Sequence, residues 1–524
     1  MNKSKNLPLI LVILDGWGID KDGPGNAISL AKTPTIDGLG KKYPFTKIYA
    51  HGKHVGLPDG QVGNSEAGHM NIGAGRLVEQ DSVKISTNIE DGTFFKNPAF
   101  LGAIRHVKKS NSRLHIMGLL SNGQSPHSDP GHLMALIEFA RKNNIKDVFL
   151  HLFTDGRDSP KFSSLNEISK LEKELKNEKI ATIMGRYYAM DRKKKWERTE
   201  LTYNTFTIGE GRKASSAQEA ITNAYNRGNS DEFIEPHVIE CDSSKSSRIE
   251  EGDSVIFFNL RSDRSRQLAK AFVQPEFEKM NPGSFKRKKK LEHLYFVAMT
   301  DFGPDLDDII TAYPSVDLDE TLPMQFEEYT QMYIAETEKY AHVTYFFNGG
   351  YSGTVAGETQ HLVPSPDVKS YDETPAMSSE ELTKVVVDNI DKHKKSKKFP
   401  YEFVVLNFAA PDMVGHTGNL EAGIKCCEQV DKCVSQIVKT YLSVGGTVLI
   451  TADHGNIEKM INTETGEIFT EHTTNQVPFL LVSKTLKKTK LRTKGFLGDI
   501  APTILDILDL KKPKEMKGKS LILK

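Results

Sequence analysis

Short apolar runs rich in β-branched residues recur along the chain, and more polar, helix-like segments separate them. The clearest runs are residues 9–14, 114–119, 148–153, 180–184, 255–258, 294–298, 403–406 and 448–450. Continuous apolar runs between helices are typical of strands buried on both faces of a mostly parallel sheet. The pattern therefore predicts α/β architecture. Because the strands are too many for one sheet, it also predicts two domains.

Most of these runs lead directly into polar residues. The side chains found there are Asp15, Arg157, Asp158, Arg186, Arg261, Arg264, Asp412, Asp453 and His454. One such residue would be explained by a turn or a helix cap, but six polar strand ends together favour a functional role. Ligands of open α/β sheets bind beyond the carboxyl ends of the strands. We therefore expect the functional sites at these ends.

Composition narrows the class of protein. The 524 residues favour two or more domains, and equal numbers of basic and acidic residues, 69 each, give no charge bias towards nucleic acid or membrane. No apolar run reaches the length of a membrane-spanning helix, and the first residues lack a signal-peptide core, so we expect a cytoplasmic protein. The four cysteines lack zinc-type spacing and are expected to be reduced thiols.

One segment places a hydroxyl at a glycine-rich junction between a loop and a helix. This segment is 64–76, and its hydroxyl belongs to Ser65. A serine among carboxylate and imidazole ligands is typical of a nucleophile for phosphoryl transfer that a metal ionises. The segment alone is a weak motif, and its interpretation depends on ligands elsewhere in the chain.

Those ligands come from three distant segments. Asp412 and His416 are four residues apart, so a helix would place them on one face. Carboxylate with imidazole suits Mn²⁺ or Zn²⁺, although a local hydrogen bond between the two side chains also explains the pair. The remaining candidates are Asp15, Asp453, His454 and His472. Three carboxylates, three imidazoles and a serine favour two metal sites, which is a common arrangement for phosphoryl transfer.

The middle of the chain carries a different set of candidate binding residues. Five arginines follow strands or lie close to their ends: Arg157, Arg186, Arg192, Arg261 and Arg264. Guanidinium groups bind carboxylate and phosphate with two parallel hydrogen bonds, so the set predicts a small, highly anionic substrate. A surface salt bridge remains the alternative for each arginine alone. Asp158 could bind a substrate hydroxyl, and His127 could act as an acid or base.

Eight motifs, in order along the chain, carry a family resemblance. They are residues 14–18, 63–76, 155–158, 185–192, 335–344, 411–418, 451–456 and 472–475. Together they resemble the motifs of the cofactor-independent phosphoglycerate mutases, the metal-dependent type within the alkaline phosphatase superfamily. The resemblance covers essentially the whole chain.

The resemblance implies a role for each candidate residue. One Mn²⁺ would be held by Asp412, His416 and His472, and the other by Asp15, Ser65, Asp453 and His454. Mg²⁺, Co²⁺ or Zn²⁺ would also suit these ligands, and 2,3-bisphosphoglycerate would not be needed. Ser65 would be the nucleophile, and Lys339 would stabilise the transferring phosphoryl group. Arg261 and Arg264 would reach the phosphate. The glycerate would be held by His127, Arg157, Asp158, Arg186 and Arg192.

The resemblance also implies the domains and the reaction. A discontinuous phosphatase-like domain would combine residues 1–80 and 320–524, and an inserted glycerate-binding transferase domain would span 81–319. A monomer would interconvert 3-phosphoglycerate and 2-phosphoglycerate in glycolysis through a phosphoserine at Ser65. Two alternatives remain: a phosphomonoesterase or phosphonate hydrolase of the same superfamily, and a basic RNA-associated protein. The arginines argue against the first, and the complete ligand set argues against the second.

Overall fold

The computed structural model describes residues 6–123, 125–240, 247–303, 305–306, 308–315, 317–396, 398–463 and 465–523, without the side chains of 394 and 395. The chain forms two compact units. The discontinuous unit comprises Met1–Gln80 and Val316–Lys524, and the inserted unit comprises Asp81–Ser315. Both are built of helices around a sheet, so the predicted α/β class with one discontinuous domain is confirmed.

The discontinuous unit is centred on a seven-stranded sheet. In sheet order its strands are Thr359–Val363, Gln331–Glu336, Phe403–Phe408, Leu9–Leu14, Thr447–Thr451, Val477–Val482 and Phe45–Ile48. The first five run parallel, and the last two add antiparallel pairings at one edge. The central strand Leu9–Leu14 is buried at all six positions, because helices cover both faces of the sheet.

The helices of this unit vary from one turn to seven turns. They are Ala27–Leu30, Pro34–Lys42, Ser65–Ala74, Ser379–Ser396, Ala410–Gly415, Leu420–Ser443 and Ile500–Ile507. Short 3₁₀ turns cover Gly52–Val55, Pro323–Phe326, Thr337–Lys339, Tyr371–Glu373 and Leu497–Asp499, and a π-helical turn covers His342–Phe346. A two-stranded ribbon pairs Lys490–Leu491 with Ile522–Leu523.

The inserted unit is centred on an eight-stranded sheet. In sheet order its strands are Ile310–Tyr313, Tyr295–Thr300, Ser254–Phe257, Leu114–Leu120, Val148–Thr154, Lys179–Gly185, His237–Ile239 and Arg212–Ala214. All pairings are parallel except that between Lys179–Gly185 and His237–Ile239. Its helices are Asp81–Glu90, Pro98–Ser110, Pro130–Lys142, Ser164–Glu174, Arg186–Ala189, Trp196–Ile208, Ala217–Asn226, Arg266–Val273 and Phe277–Met280, with 3₁₀ turns at Thr93–Lys96 and Asp231–Phe233.

Two properties of the described residues bear on the class of protein. Cys426, Cys427 and Cys433 are buried and form no disulfide, and Cys241 lies outside the described residues. A search of the helices across the described ranges finds none that combines the length and apolarity needed to cross a membrane.

Glu336 ends the strand Gln331–Glu336 of the discontinuous unit and is buried. Its Oε1 accepts a hydrogen bond from the Ser378 backbone N–H at 3.1 Å, but its Oε2 has no hydrogen-bond partner. Burial raises the pKa of this carboxyl from 4.5 to about 7. A raised folded-state pKa means that folding takes up a proton between these values, so stability should fall as the pH rises from 4.5 to 7.

We therefore expect Glu336→Gln to stabilise the protein at pH 8 and to have little effect at pH 4.5. The difference between the two pKa values sets an upper limit of about 3 kcal/mol, so a gain of about 1–3 kcal/mol is expected. Urea unfolding midpoints of both proteins across this pH range measure the effect. Parallel pH profiles would show that the Glu336 carboxyl is already ionised at neutral pH.

Candidate active site

The predicted metal ligands of the discontinuous unit, together with Lys339, lie mostly beyond the carboxyl ends of adjacent strands. Asp15 directly follows the strand Leu9–Leu14, and Asp453 comes two residues after its neighbour Thr447–Thr451. On the other side, Asp412 lies in the helix after Phe403–Phe408, and Lys339 follows Gln331–Glu336. Four consecutive parallel strands therefore deliver their polar ends to one edge of the sheet, as expected for a ligand site.

Ser65 is the first residue of the helix Ser65–Ala74 and is 6% exposed. The Asn64 side chain caps this helix by accepting a hydrogen bond from the Ala67 N–H at 2.8 Å. The glycines of the motif permit close packing of the helix. A Cβ at Gly68 would lie 2.8 Å from both the Cβ and the backbone oxygen of Asp453, so only glycine brings the helix this near to that loop.

The Ser65 hydroxyl lies among charged and imidazole groups. Lys339 Nζ donates to Ser65 Oγ at 2.7 Å, and Ser65 Oγ donates to Asp15 Oδ1 at 3.2 Å. His454 Nε2 is 2.9 Å from the same oxygen. Lys339 Nζ also donates to Asp15 Oδ1 and to Asp412 Oδ2, both at 2.6 Å. The hydroxyl is therefore held in a fixed, buried position next to an ammonium group.

Charge governs the ionisation of this cluster. Burial alone would lower the pKa of Lys339, but the carboxylates of Asp15 and Asp412 outweigh it and raise that pKa above its usual value. Conversely, burial would raise the pKa of Asp15, but the Lys339 ammonium holds it below its usual range. At neutral pH the ammonium and the carboxylates are therefore all charged.

His416 and His472 provide a test of whether the site suits a cation. Each Nδ1 lies 2.8 Å from a backbone carbonyl, of Thr470 and Gly63 respectively, so each Nδ1 must donate. The two Nε2 atoms then face each other at 3.0 Å, and Asp412 Oδ1 lies 3.3 Å from one and 3.2 Å from the other. Two lone pairs and a carboxylate directed at one point fit a bound cation, and this donor set suits Mn²⁺ or Zn²⁺.

Asp15, Asp453 and His454 form a second group that suits a cation. His454 Nε2 is 3.5 Å from both Asp15 Oδ1 and Asp453 Oδ2, and Asp453 Oδ2 is buried without a hydrogen-bond partner. Burial opposes a charge on His454, yet the surrounding carboxylates raise its pKa to about 9. The three buried carboxylates of Asp15, Asp412 and Asp453 outnumber the two cationic groups among them, the Lys339 ammonium and the His454 imidazolium, so the cluster favours further positive charge.

Two polar residues that sequence reasoning did not select hold these ligands in place. Asn407, within the strand Phe403–Phe408, donates from Nδ2 to Asp15 Oδ2 at 2.7 Å and contacts His69 Nε2 at 3.0 Å. Because that amide nitrogen is a donor, His69 Nε2 must accept, and its Nδ1 donates to the Ser65 carbonyl at 2.9 Å. His69 Nδ1 also lies 3.3 Å from Asp453 Oδ2. His69 is therefore a neutral orienting residue with both nitrogens engaged.

The inserted unit holds most of its predicted residues beyond four adjacent parallel strands. Arg186 is 2% exposed, and its Nη1 donates to Asp155 Oδ1 and to Asp158 Oδ2, both at 2.6 Å. Asp158 also accepts from Ser125 Oγ at 2.9 Å. The Arg186 Nε has no hydrogen-bond partner although it is buried. An unsatisfied buried donor at a strand end is a feature that an anionic ligand would satisfy.

The other arginines are more exposed. Arg192 Nη1 donates to Asp263 Oδ2 at 2.6 Å, and Arg261 Nε lies 3.8 Å from Asp263 Oδ1. Arg264 is half-buried, and its pKa is lowered by burial and then by the charges of Arg186, Arg192 and Arg157. Arg186, Arg192, Arg261 and Arg264 therefore form one electropositive region. Arg157 lies at its margin, with a half-exposed side chain 3.5 Å from Glu232.

His127 lies in the same electropositive region and is 5% exposed. Burial and the charges of Arg186 and Arg261 lower its pKa to about 3. The ring is therefore neutral at physiological pH, and its buried Nδ1 has no hydrogen-bond partner. A neutral imidazole can donate a hydrogen bond to a ligand or accept one from it. It cannot act as an imidazolium general acid.

The chain is similar over its length to known proteins. Residues 7–512 match the family described as the metalloenzyme superfamily. A protein of Clostridium kluyveri named 2,3-bisphosphoglycerate-independent phosphoglycerate mutase is 49% identical over 520 residues, covering 98% of this chain and 99% of that protein. A Methanosarcina acetivorans protein named 2,3-bisphosphoglycerate-independent phosphoglycerate mutase 1 is 47% identical over 524 residues and covers 99% of both chains.

A solved structure extends the similarity to three dimensions. The crystal structure of Leishmania mexicana phosphoglycerate mutase at low cobalt concentration has a TM-score of 0.77 and 29% sequence identity. The match covers 99% of this chain and 98% of that chain. The similarity therefore spans both compact units.

Proposed function

The chain belongs to the 2,3-bisphosphoglycerate-independent phosphoglycerate mutases of the metalloenzyme superfamily, and from this premise we propose that it interconverts 3-phosphoglycerate and 2-phosphoglycerate through a phosphoserine at Ser65. Enzymes of this kind are isomerases that transfer a phosphoryl group within one substrate. The observation that carries the proposal is the Ser65 hydroxyl, buried at a helix N-terminus 2.7 Å from Lys339 Nζ.

The residues around Ser65 suit the first transfer. Ser65 Oγ attacks phosphorus, and the bond between phosphorus and the glycerate oxygen breaks. Lys339, kept charged by its carboxylate neighbours, donates hydrogen bonds to the phosphoryl oxygens as charge develops. The helix Ser65–Ala74 begins at the phosphorylated residue, and a helix N-terminus favours negative charge. The proton lost by Ser65 is matched by the one that the departing glycerate oxygen gains.

The inserted unit supplies the groups for retaining glycerate. Arg186 and Arg192 suit its carboxylate, and Asp158 and the neutral His127 suit its hydroxyls. Arg157 contributes charge at the margin of the region, and Arg261 and Arg264 suit the phosphate. The other hydroxyl of glycerate then takes the phosphoryl group back from Ser65, and its proton balances the one transferred earlier. No water is consumed, so the products are isomers.

We propose two divalent metal ions, Mn²⁺ by preference, as the resident cofactors. One would be held by Asp412, His416 and His472, and the other by Asp15, Ser65, Asp453 and His454. When bound, the ions would favour the ionised Ser65 hydroxyl and offset charge on the phosphoryl group. Mg²⁺, Co²⁺ and Zn²⁺ also suit these ligands. The proposal includes a cytoplasmic monomer that acts on small anionic substrates without 2,3-bisphosphoglycerate.

An enolase-coupled assay with 3-phosphoglycerate, in the absence of 2,3-bisphosphoglycerate, tests the reaction. Formation of 2-phosphoglycerate that stops after chelation and resumes with Mn²⁺ is expected. The hydrolase alternative predicts the release of inorganic phosphate as the main reaction. Phosphate release without isomerisation would therefore overturn the mutase proposal in favour of a phosphomonoesterase.

Metal binding should also stabilise the protein. A ligand that binds only the folded state at 100 times its dissociation constant adds about 2.7 kcal/mol per site. We expect Mn²⁺ to raise the unfolding midpoint in urea and EDTA to reverse the effect, with elemental analysis giving two ions per chain. His416→Ala should halve the stoichiometry. A chain that is fully active and verified free of metal would contradict the ligand assignment.

A further inference from the structure

Glu458 lies five residues after Asp453 and is 1% exposed. Its Oε2 accepts hydrogen bonds from the Gly18 N–H at 3.0 Å and from the Asn456 N–H at 2.8 Å. Its Oε1 accepts from Asn475 Nδ2 at 3.0 Å and from the Thr473 hydroxyl. One buried carboxylate therefore receives four donors.

These four bonds exclude Glu458 as a metal ligand. An ionised carboxylate offers about four acceptor positions, two on each oxygen, and donors of this chain fill all of them. Glu458 is also absent from the clusters of His, Cys, Asp and Glu that could hold an ion among the described residues. Glu458 must therefore act through the groups to which it is hydrogen-bonded.

The donors come from three separate loops, and each loop bears a proposed metal ligand. Gly18 belongs to the loop that begins with Asp15, and Asn456 belongs to the loop of Asp453 and His454. Thr473 and Asn475 belong to the loop of His472. Charge-assisted bonds to one carboxylate are stronger than bonds between neutral groups, so they fix the spacing of the three loops.

The fourth ligand segment is connected through Asn456. While the Asn456 N–H donates to Glu458, the side-chain Nδ2 donates to Asp412 Oδ1 at 2.8 Å. Asp412 Oδ1 is the oxygen that faces His416 and His472. A shift of Asn456 would therefore move the carboxylate that the first metal site requires.

Two glycines give the Glu458 carboxylate access to the loops. A Cβ at Gly18 would overlap the Glu458 carboxyl group, and a Cβ at Gly455 would overlap both Glu458 Oε1 and Thr473 Oγ1. Neither glycine adopts a positive φ, so close approach is the reason that glycine is required there. The two glycines and the carboxylate form one packing unit.

We propose that Glu458 is a positioning residue that fixes the loops of Asp15, Asp453 and His472 and, through Asn456, the carboxylate of Asp412, and thereby sets the affinity for both ions. This inference rests on the proposed function, because it presupposes metal ions at the two groups of ligands. Residues that orient metal ligands from behind typically change metal affinity 10- to 100-fold when they are replaced. In Glu458→Gln, an amide NH₂ would face donors that now meet a carboxylate oxygen.

Titration of the metal-free full chain with Mn²⁺ alone, followed by the electron paramagnetic resonance signal of free Mn²⁺, tests the inference. Glu458→Gln should weaken Mn²⁺ binding roughly 10- to 100-fold. Thr473→Val, which removes one donor at nearly constant volume, should weaken it roughly 2- to 10-fold and keeps the test open if the first variant does not fold. Circular dichroism and thermal unfolding establish that each metal-free variant is folded.

Glu358→Gln is the matched control in the same unit. Glu358 is 3% exposed and accepts hydrogen bonds from Asn348, Val355, Ala356 and Gln360, none of which lies in a ligand loop. Its replacement should lower stability without changing Mn²⁺ affinity. The positioning role would be overturned if Glu458→Gln left the Mn²⁺ affinity unchanged. It would also be overturned if Glu458→Gln and Glu358→Gln weakened Mn²⁺ binding equally. A wild-type chain that binds no Mn²⁺ would instead overturn the proposed metal sites themselves.

Discussion

Ser65→Ala is expected to reduce mutase turnover by at least roughly 10⁴-fold, because a methyl group cannot attack phosphorus. The remaining groups cannot replace the nucleophile. Lys339 is held as an ammonium, and the three carboxylates are bound by donors or directed at the cation positions. The fold should persist, because alanine is a good helix former and the helix retains its Asn64 cap. Enolase-coupled turnover, with circular dichroism for the fold, measures the effect.

Ser379→Ala is the control for this substitution. Ser379 is also a buried serine at the first position of a helix in the same unit, and its Oγ has no hydrogen-bond partner. Its replacement should leave turnover unchanged. Quenched wild-type reactions should contain a peptide phosphorylated at Ser65, and the Ser65 variant should not. Near-normal turnover without Ser65 would mean that transfer does not pass through this residue.

The ligand types of the candidate site were predictable because strand ends and short motifs mark them. Asp15 and Asp453 follow apolar runs, and the structure places both beside Ser65 at one edge of the sheet. Asn407 gave no such signal, since it occupies an ordinary position within a buried strand. Glu458 was missed for a similar reason: a glutamate in a turn is usually solvated, and only the folded chain shows its four donors.

The central parallel strands of each sheet were predictable, but most strands at or next to the sheet edges were not. Arg212–Ala214 has three residues, two of them exposed, so it lacks both length and apolar character. Val477–Val482 is buried but contains Pro478, and a proline within an apolar run argues against a central strand. The structure tolerates it because Pro478 is the second residue of the strand, near its end. Tertiary pairing, which local pattern cannot report, decides both cases.

In the proposed mechanism, the distinction between a mutase and a phosphatase depends on the inserted unit. A phosphoserine beside glycerate can return its phosphoryl group to the substrate, whereas one exposed to water is hydrolysed. Hydrolysis is therefore the default outcome whenever glycerate dissociates first. We propose that the electropositive region formed by Arg186, Arg192, Arg261 and Arg264 retains glycerate and so prevents this hydrolysis. A substitution in that region should therefore increase phosphate release while the first transfer to Ser65 still occurs.

Arg192→Ala should therefore lower mutase flux and raise the ratio of phosphate release to isomerisation. Arg192 Nη1 is 2.6 Å from Asp263 Oδ2, so its removal also leaves that carboxylate dependent on Arg261, 3.8 Å away, for neutralisation beside the proposed anionic substrate. Loss of a charge-assisted contact costs on the order of 2–4 kcal/mol, or roughly 30- to 1000-fold in the affected step. Enolase coupling for 2-phosphoglycerate and colorimetry for phosphate, on the same samples, give the ratio.

Arg212→Ala is the matched control for Arg192→Ala. Both side chains are 50% exposed, and each forms an ion pair at 2.6 Å, but Arg212 lies in the edge strand Arg212–Ala214 and pairs with Glu235. Surface ion pairs of this kind contribute little to stability, so Arg212→Ala should leave both rates unchanged. If Arg192→Ala behaves in the same way, Arg192 is a surface arginine and glycerate is held elsewhere. If the product ratio shifts in Arg192→Ala but not in Arg212→Ala, retention of glycerate by the inserted unit is what separates this chain from a phosphatase.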